Sequence, residues 1–339
     1  MFQTAPGPTR ERDAREDPGP VLLLPGQGAQ YPGMGTGLYR DEPDFTAAAD
    51  EVFHAMGASG DALRADWLAE RPAVPMDDAT RSQPLLFTLD YALGRLLLAR
   101  GVRPHALLGH SIGETAAATL AGVFTLHDAV RLVLDRIADL TSAPAGGMLA
   151  VAASVAELDG KLPPGVEVGA VNAPRQTVVA GPADALARAA AELRAAGLVC
   201  VPVPSRTPFH SAALEPVVRT GLHTLRGTRM EAPRIPMISG YTARRLDAVT
   251  VTDPQYWARH PVDPVLFWPA LETALASGAR LLVECGPGQG LVTLARRHPA
   301  VRSGQVEVLA LLGPRTGDPG EEAAHFRAAA REFLERLAV

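Results

Sequence analysis

Apolar runs and their spacing divide the chain into alternating strands and helices. The continuous run Val21–Leu24 is typical of a buried parallel strand. Over residues 84–100 the leucines recur at helical spacing, and a second apolar strand follows at residues 107–108. Residues 125–128 resemble a capping box, which predicts a helix to about residue 140. Strand, helix, strand and helix in succession predict a parallel α/β sheet.

The pattern changes between residues 144 and 205. This segment contains four short strand-like runs, with a short helix after the first run and a long Ala-rich helix before the last. The order predicts an inserted ferredoxin-like α+β unit. Strand signals resume at residues 235–239 and 279–284, so the larger domain is predicted to be discontinuous. The predicted organisation is a disordered tail over 1–19, a large domain over 20–143 and 206–316, a small domain over 144–205, and a C-terminal helix over 317–339.

Composition narrows the class of protein. The chain has 339 residues, 47% of them hydrophobic, and can bury a large core. Its net charge of −5, without a run of basic residues interleaved with aromatic ones, argues against a nucleic-acid partner. No apolar run approaches the ~20 residues of a membrane span, and the first residues lack the apolar core of a signal peptide. We therefore expect a soluble, cytoplasmic monomer, with Cys200 and Cys285 as buried free thiols.

The second predicted strand ends in a G-x-S-x-G turn, Gly109-His110-Ser111-Ile112-Gly113, followed by a helix. This order is typical of a nucleophile elbow, in which a tight turn exposes the serine hydroxyl. The Ile112 N–H, at the start of the helix, can point at an oxyanion that forms when Ser111 attacks a carbonyl. The motif therefore predicts acyl chemistry through a serine ester.

A serine nucleophile needs a base, and His210 is the candidate among nine histidines. It lies in the segment 205–211, directly after the inserted unit returns to the main sheet, where a loop could cover the elbow. A loop histidine without a role is the alternative interpretation. The sequence pattern alone leaves both open.

Four motifs in this order are similar to those of one known family. They are Pro25-Gly26-Gln27-Gly28-Ala29-Gln30, Gly109-His110-Ser111-Ile112-Gly113-Glu114, Pro208-Phe209-His210-Ser211 and Glu284-Cys285-Gly286-Pro287-Gly288. Together they resemble the malonyl-CoA:acyl carrier protein transacylases, which include the acyltransferase domains of polyketide synthases. The resemblance extends over residues 20–312 and implies an α/β-hydrolase-like large domain that carries a ferredoxin-like small domain.

The resemblance also implies roles for individual residues. Ser111 would be the nucleophile and His210 the base, while Gln27 and the Ile112 N–H would form the oxyanion site. The family orients its histidine with a main-chain carbonyl, and the matching segment 259–265 places that carbonyl at His260. Phe209 resembles the bulky residue of malonyl-selective members, which predicts that the enzyme prefers malonyl to methylmalonyl. The alternative is that Phe209 only packs in the core.

Arg136 lies at the edge of the apolar face of the helix that begins after Thr125. An arginine turned toward the interior needs a partner, and its planar guanidinium suits a bidentate carboxylate. It matches the family arginine that binds the free carboxylate of malonyl. An ion pair with Asp139, three residues later, is the alternative. Ile137 departs from the family, which usually has glycine there.

The predicted reaction is ping-pong transfer of malonyl, or a related acyl group, from coenzyme A through Ser111 to the phosphopantetheine thiol of an acyl carrier protein. This reaction needs no metal or redox cofactor, and it would serve fatty acid or polyketide synthesis by a freestanding enzyme. Basic residues would receive the acidic carrier. The candidates are Arg206, Arg296, Arg297 and Arg302. A carrier-to-carrier transferase of a non-malonyl acyl or aminoacyl group, a proofreading acyl-carrier-protein hydrolase and a non-catalytic docking module remain alternatives.

Overall fold

The computed structural model describes residues 19–140, 143–313 and 318–337. Apart from Gly19, the predicted disordered tail lies outside these ranges. Five parallel strands form the main sheet in the order β7-β2-β1-β8-β9. They are β1 (Val21–Leu24), β2 (Ala106–Gly109), β7 (Met237–Ile238), β8 (Leu281–Glu284) and β9 (Glu307–Ala310). This sheet confirms the predicted α/β class.

Strand β1 occupies the centre of the main sheet. Val21 is opposite Ala106 on one neighbour and opposite Leu282 on the other. All four β1 side chains are fully buried because helices cover both faces of the sheet, which explains a continuous apolar run without alternation. Parallel strands end at a common edge, so the segments that follow β1, β2 and β7 meet there.

Fifteen helices surround the two sheets in the described ranges. Before the second sheet lie α1 (Thr36–Asp41), α2 (Pro43–Ala55), α3 (Ala58–Leu68), α4 (Ala79–Ala99), α5 (Ile112–Ala121) and α6 (Leu126–Leu140); within it lie α7 (Val155–Leu158) and α8 (Ala183–Ala195). After it come a 3-10 turn (Ala212–Leu214), α9 (Glu215–Arg226), α10 (Ala248–Val251), α11 (Pro254–Ala258), α12 (Phe267–Ala276), α13 (Gly290–Ala295), α14 (Pro299–Arg302) and α15 (Pro319–Leu337).

Helix α4 begins five residues earlier than the predicted start at Pro84. The Asp78 side chain accepts a hydrogen bond from the Thr80 N–H and caps the helix there. Pro84 therefore lies inside the first turns and does not mark the start of the helix.

The four strands of the second sheet are antiparallel and lie in the order β4-β5-β3-β6. They are β3 (Gly146–Val151), β4 (Glu167–Ala173), β5 (Gln176–Pro182) and β6 (Cys200–Val203). Helices α7 and α8 follow β3 and β5, so the chain order is strand, helix, strand, strand, helix, strand. This is the ferredoxin-like arrangement predicted from the sequence.

Strand β4 is hydrogen-bonded to the segment that precedes α12. The Val171 N–H donates to the Val265 carbonyl at 2.7 Å, and the Val265 N–H donates to the Gly169 carbonyl at 2.9 Å. These bonds hold the segment around residues 260–265 beside the second sheet, where it contacts the serine site. In the described ranges, the chain has no helix with both the length and the apolar character needed to cross a bilayer.

Candidate active site

Ser111 lies in the tight turn between β2 and α5, with a φ of 57° and a ψ of −120°. A non-glycine residue is strained at this positive φ, and such strain is typical of functional turns. The flanking glycines allow the turn to close. A Cβ at Gly109 would lie 2.2 Å from the Glu114 Cα, and a Cβ at Gly113 would lie 2.2 Å from the Leu24 carbonyl oxygen. The geometry is that of the predicted nucleophile elbow.

His210 is hydrogen-bonded to the serine. Its Nε2 lies 2.8 Å from the Ser111 Oγ, and its Nδ1 lies 2.9 Å from the Asp263 carbonyl oxygen. The backbone of His210 also has a positive φ, of 62°, and its N–H donates to the Pro261 carbonyl at 2.7 Å. The side chain is only 5% exposed, so the ring is held in one orientation.

The carbonyl that orients His210 is not the predicted one. Its hydrogen bond is with Asp263, three residues after the predicted His260. The chain turns after α11 because the N–H groups of Val262 and Asp263 both donate to the Arg259 carbonyl. The Arg259 guanidinium also binds the Asp263 carboxylate, with Nη2 and Oδ1 2.7 Å apart. The turn and this ion pair present the Asp263 carbonyl to the imidazole.

Burial lowers the pKa of His210 to about 4. The nearby His110 lowers it further, whereas the carbonyls of Asp263 and His260 raise it. The ring is therefore neutral at pH 7. Because a carbonyl only accepts, Nδ1 carries the proton, and Nε2 is left to accept the Ser111 hydroxyl.

The pH dependence of acylation should follow this low pKa. The neutral base is present above the folded-state pKa, so the second-order rate constant for acylation should stay level down to about pH 5 and fall about tenfold per pH unit below about pH 4. Stopped-flow acylation over this range measures it. A midpoint near 6.5, the ordinary histidine pKa, would contradict the prediction.

Folding must be checked at each pH. Burial also lowers the pKa of His110 and of His260. These rings take up protons more readily in the unfolded chain, so stability is lost as the pH falls below their ordinary value. Circular dichroism at each pH separates this loss from loss of the base.

The backbone N–H of Ile112, next to Ser111, and that of Gln27, which lines a cleft together with Ser111, have no hydrogen-bond partner in the described part of the chain. The Gln27 side chain is already engaged. Its Nε2 donates to the Pro204 carbonyl at 3.2 Å, and its Oε1 accepts from Ser82 at 3.1 Å and from Gln83 at 2.7 Å. Gln27 can therefore offer its backbone N–H, in addition to that of Ile112, to a developing oxyanion.

Arg136 faces the interior, as the helical spacing predicts. Its Nη2 donates to the Trp257 carbonyl at 2.5 Å, and its Nη1 lies 3.4 Å from the Thr115 Oγ1. Burial lowers its pKa to about 10, so it is still charged at pH 7. Across the described ranges, no carboxylate lies within 4.0 Å of it, and the alternative ion pair with Asp139 is wrong. The guanidinium has donors left for a ligand.

A narrow cavity joins Arg136 to the Ser111–His210 pair. The volume open to the centre of a water molecule is about 30 Å³. Its lining includes Ser111, Ile112, Arg136, Ile137, Leu140, Phe209, His210, Tyr241 and His260. Phe209 is 7% exposed and contributes an aromatic wall, which places the predicted selectivity residue at the cavity.

A wider open cleft reaches Ser111 from the other side, between the two sheets. The volume of this cleft that is open to the centre of a water molecule is about 640 Å³. One wall comes from the segment after β1 and from α13, and the other from β3 to β6; its lining includes Gln27, His110, Ser111, Asn172, Val203 and Arg297. His110, which the sequence leaves without a role, points here, and its Nε2 lies 3.0 Å from the Asn172 Oδ1.

Comparison with known proteins decides the family. The family described as "Acyl transferase domain" matches residues 21–334, almost the whole chain. The chain belongs to the acyl transferase domain family. Among curated relatives of the acyltransferase, one component of the phenolphthiocerol/phthiocerol polyketide synthase of Mycobacterium tuberculosis is 39% identical over 280 residues. That match covers 82% of the chain and 19% of the relative, so the acyltransferase spans about a fifth of that protein's length.

Solved structures agree with the family and the fold. The acyltransferase domain from the second module of the salinomycin polyketide synthase has a TM-score of 0.81 and 34% identity, covering 92% of the acyltransferase and 72% of that chain. A malonyl transacylase solved with a type II polyketide synthase acyl carrier protein has a TM-score of 0.77 and 24% identity. That match covers 92% of the acyltransferase and 99% of the transacylase chain. The predicted family and fold class are confirmed.

Sequence reasoning missed several residues around the site of the acyltransferase. Tyr241 lines the narrow cavity, and His260, which the sequence names only for its carbonyl, is also part of the lining. The fully buried Glu114 accepts hydrogen bonds from the Gly240 N–H and from the Tyr256 hydroxyl. For Tyr241 a signal existed, because it follows β7 at the sheet edge where ligands of parallel sheets bind. Burial raises the pKa of Glu114 to about 8, so it is largely neutral at pH 7 and supports the turn around Gly240.

Proposed function

We propose that the acyltransferase moves a malonyl group, or a related carboxylated acyl group, from coenzyme A to the phosphopantetheine thiol of an acyl carrier protein. The observation that carries this proposal is a single cavity whose lining includes both a serine–histidine pair and a buried arginine without a carboxylate partner among the described residues. An acyl group with a terminal carboxylate has a chemical partner for each of its two polar groups there. We propose that the reaction uses no metal or redox cofactor, and polyketide or fatty acid synthesis is the setting.

The first half-reaction forms the acyl-enzyme. The Ser111 Oγ attacks the thioester carbonyl carbon while its proton passes to the His210 Nε2. The N–H groups of Ile112 and Gln27 stabilise the negative oxygen of the tetrahedral intermediate. The carbon–sulfur bond then breaks, and the coenzyme A sulfur takes the proton from Nε2. The Asp263 carbonyl holds the Nδ1 proton throughout and stabilises the transient imidazolium.

The second half-reaction reverses these steps with a new thiol. The carrier's thiol gives its proton to the His210 Nε2 and attacks the Ser111 ester, and the serine oxygen leaves with that proton. The open cleft supports this step, because it gives a long thiol arm a path to Ser111 from the surface near Arg297. A malonyl transacylase of the same fold is solved with an acyl carrier protein, which supports a carrier as the partner.

Docking of an acidic carrier would use basic residues near the cleft. Arg297 lies at its edge, and its Nη1 donates to Gln176 at 2.6 Å, while Arg296 is exposed beside it. Arg206 is partly neutralised by an ion pair with Asp77 at 3.2 Å. We therefore propose Arg296 and Arg297 as the docking site for the carrier.

The proposal is tested by intact-protein mass spectrometry after incubation with malonyl-, methylmalonyl- and acetyl-CoA. Wild-type enzyme should form a malonyl adduct fastest. Methylmalonyl should react more slowly because Phe209 narrows the cavity beside the acyl group. A rate for methylmalonyl-CoA above that for malonyl-CoA would refute the role of Phe209. A folded enzyme that forms no adduct from any of the three would favour the carrier-to-carrier transferase.

Arg136→Ala should lower the preference for carboxylated acyl groups. A buried charge-assisted bidentate contact supplies roughly 1.5–3 kcal/mol, so malonylation should slow by about 10- to 100-fold while acetylation does not slow. Arg131→Ala, on the same helix but bonded to Thr228, is the matched control and should behave as wild type. Equal slowing with both thioesters would remove Arg136 from substrate recognition.

A further inference from the structure

The His260 side chain is a buried polar group without a protein partner. It is 3% exposed, and neither ring nitrogen has a hydrogen-bond partner among the residues that the structure describes. Its Nε2 lies 4.0 Å from the Glu114 Oε1, beyond hydrogen-bond distance. Buried polar groups are nearly always paired, so an unpaired imidazole points to a missing ligand.

Aromatic rings fix the position of this imidazole. It stacks on Tyr241 with ring centroids 3.9 Å apart and an angle of 17° between the planes. The edge of Tyr256 lies against it, with centroids 5.0 Å apart, and Trp257 packs beside it at 4.9 Å. A ring held in this way loses little further freedom when it binds a ligand.

His260 borders the cavity that Ser111 and Arg136 also line. The backbone N–H of His260 donates to the Trp257 carbonyl at 3.4 Å, and the same carbonyl accepts a hydrogen bond from the Arg136 Nη2 at 2.5 Å. The arginine and His260 therefore meet at the end of α11. Burial and then the charge of Arg136 lower the pKa of His260 well below its ordinary value, so the ring is neutral and carries one N–H donor.

The two groups complement one chemical species. Arg136 supplies positive charge and spare donors, and His260 supplies a neutral donor. Both residues border the same cavity, and no carboxylate of the described residues lies within hydrogen-bond distance of either. A carboxylate has two oxygens that can accept from both. Glu114 does not serve as that partner, because it is 4.0 Å away and its oxygens accept from Gly240 and Tyr256.

We propose that His260 donates its ring N–H to the free carboxylate of the acyl group and shares that carboxylate with Arg136. This inference rests on the proposed function and adds a second binding residue to it. His260 thereby favours acyl groups that carry a free carboxylate. This role of the side chain is separate from that of the His260 backbone, which lies near His210.

The test compares initial acylation rates with malonyl-CoA and acetyl-CoA in His260→Phe and His260→Gln. Phenylalanine keeps the stacking on Tyr241 and removes the donor, so the malonyl-to-acetyl rate ratio should fall by about 10- to 100-fold, chiefly through the KM for malonyl-CoA. Glutamine restores an N–H donor and should recover most of the ratio. Tyr256→Phe keeps the ring against His260 and removes only a neighbouring hydroxyl, which bonds Glu114 and Ser239, so its ratio should stay at the wild-type value.

The outcomes separate this inference from the proposed function. A wild-type enzyme that takes malonyl, with an unchanged rate ratio in folded His260→Phe, overturns the role of His260 alone. Equal losses with both thioesters would indicate a purely structural ring and also overturn it. If His260→Phe does not fold, the malonyl-to-acetyl rate ratio of His260→Gln decides. The glutamine amide is expected to replace the lost donor, so a large fall of this ratio would overturn the role of His260. A wild type that takes no malonyl overturns both proposals.

Discussion

Replacing Ser111 with alanine is expected to abolish covalent labelling by malonyl-CoA and to lower transfer to the carrier by at least about 10⁴-fold. The reason is that alanine removes the Ser111 Oγ, the hydroxyl that the His210 Nε2 activates at 2.8 Å. Intact-protein mass spectrometry measures the adduct, and a discontinuous assay measures transfer.

Two controls make the Ser111→Ala result specific. Ser239→Ala changes a buried serine near the cavity whose Oγ bonds the Tyr256 hydroxyl, and it should still be labelled at Ser111. A normal melting temperature for Ser111→Ala shows that the turn is intact. Labelling of Ser111→Ala at the wild-type rate would show that another residue is the nucleophile.

Replacing His210 with alanine is expected to slow acylation by about 10²- to 10⁴-fold without abolishing the adduct. Without the base, the proton of the attacking serine must pass to water, while the N–H groups of Ile112 and Gln27 still stabilise the oxyanion. Single-turnover acylation rates measure the loss. Added imidazole should restore part of the rate, because the lost ring leaves space beside the Ser111 Oγ.

His105→Ala is the matched control for His210→Ala. His105 lies just before β2, and its Nε2 bonds the Ser277 Oγ at 2.9 Å, at the opposite end of β2 from the serine turn. Its acylation rate should equal that of wild type. If His210→Ala acylates as fast as His105→Ala, His210 is a loop histidine without a role, which is the alternative that the sequence leaves open.

Local chemistry explains what the sequence predicts well. The main strands are recognised because strands buried on both faces must be apolar throughout, as in β1. The turn at Ser111 is recognised because only glycine fits at Gly109 and Gly113, where a Cβ would overlap the backbone. Arg136 is placed correctly because helix periodicity alone fixes which way it faces.

The missed features depend on segments that meet only in the folded chain. The carbonyl that orients His210 shifts from His260 to Asp263 because a turn and an ion pair after α11 decide which oxygen faces the ring. The sequence names Gln27 for the oxyanion site, but only the fold shows that its side chain binds the Pro204 carbonyl across the cleft, which leaves the backbone N–H as its available donor.

The sequence by itself determined the family, the fold class, and the residues Ser111, His210 and Arg136 as candidates for catalysis and binding. These depend on short motifs and on helix or strand periodicity, which neighbouring residues set. Only the tertiary structure placed Tyr241 and His260 at the cavity, left the His260 ring nitrogens without a partner among the described residues, and showed that Arg136 has no carboxylate within 4.0 Å among them. The physical reason is that burial and hydrogen-bond partners come from segments far apart in the chain, which no local pattern records.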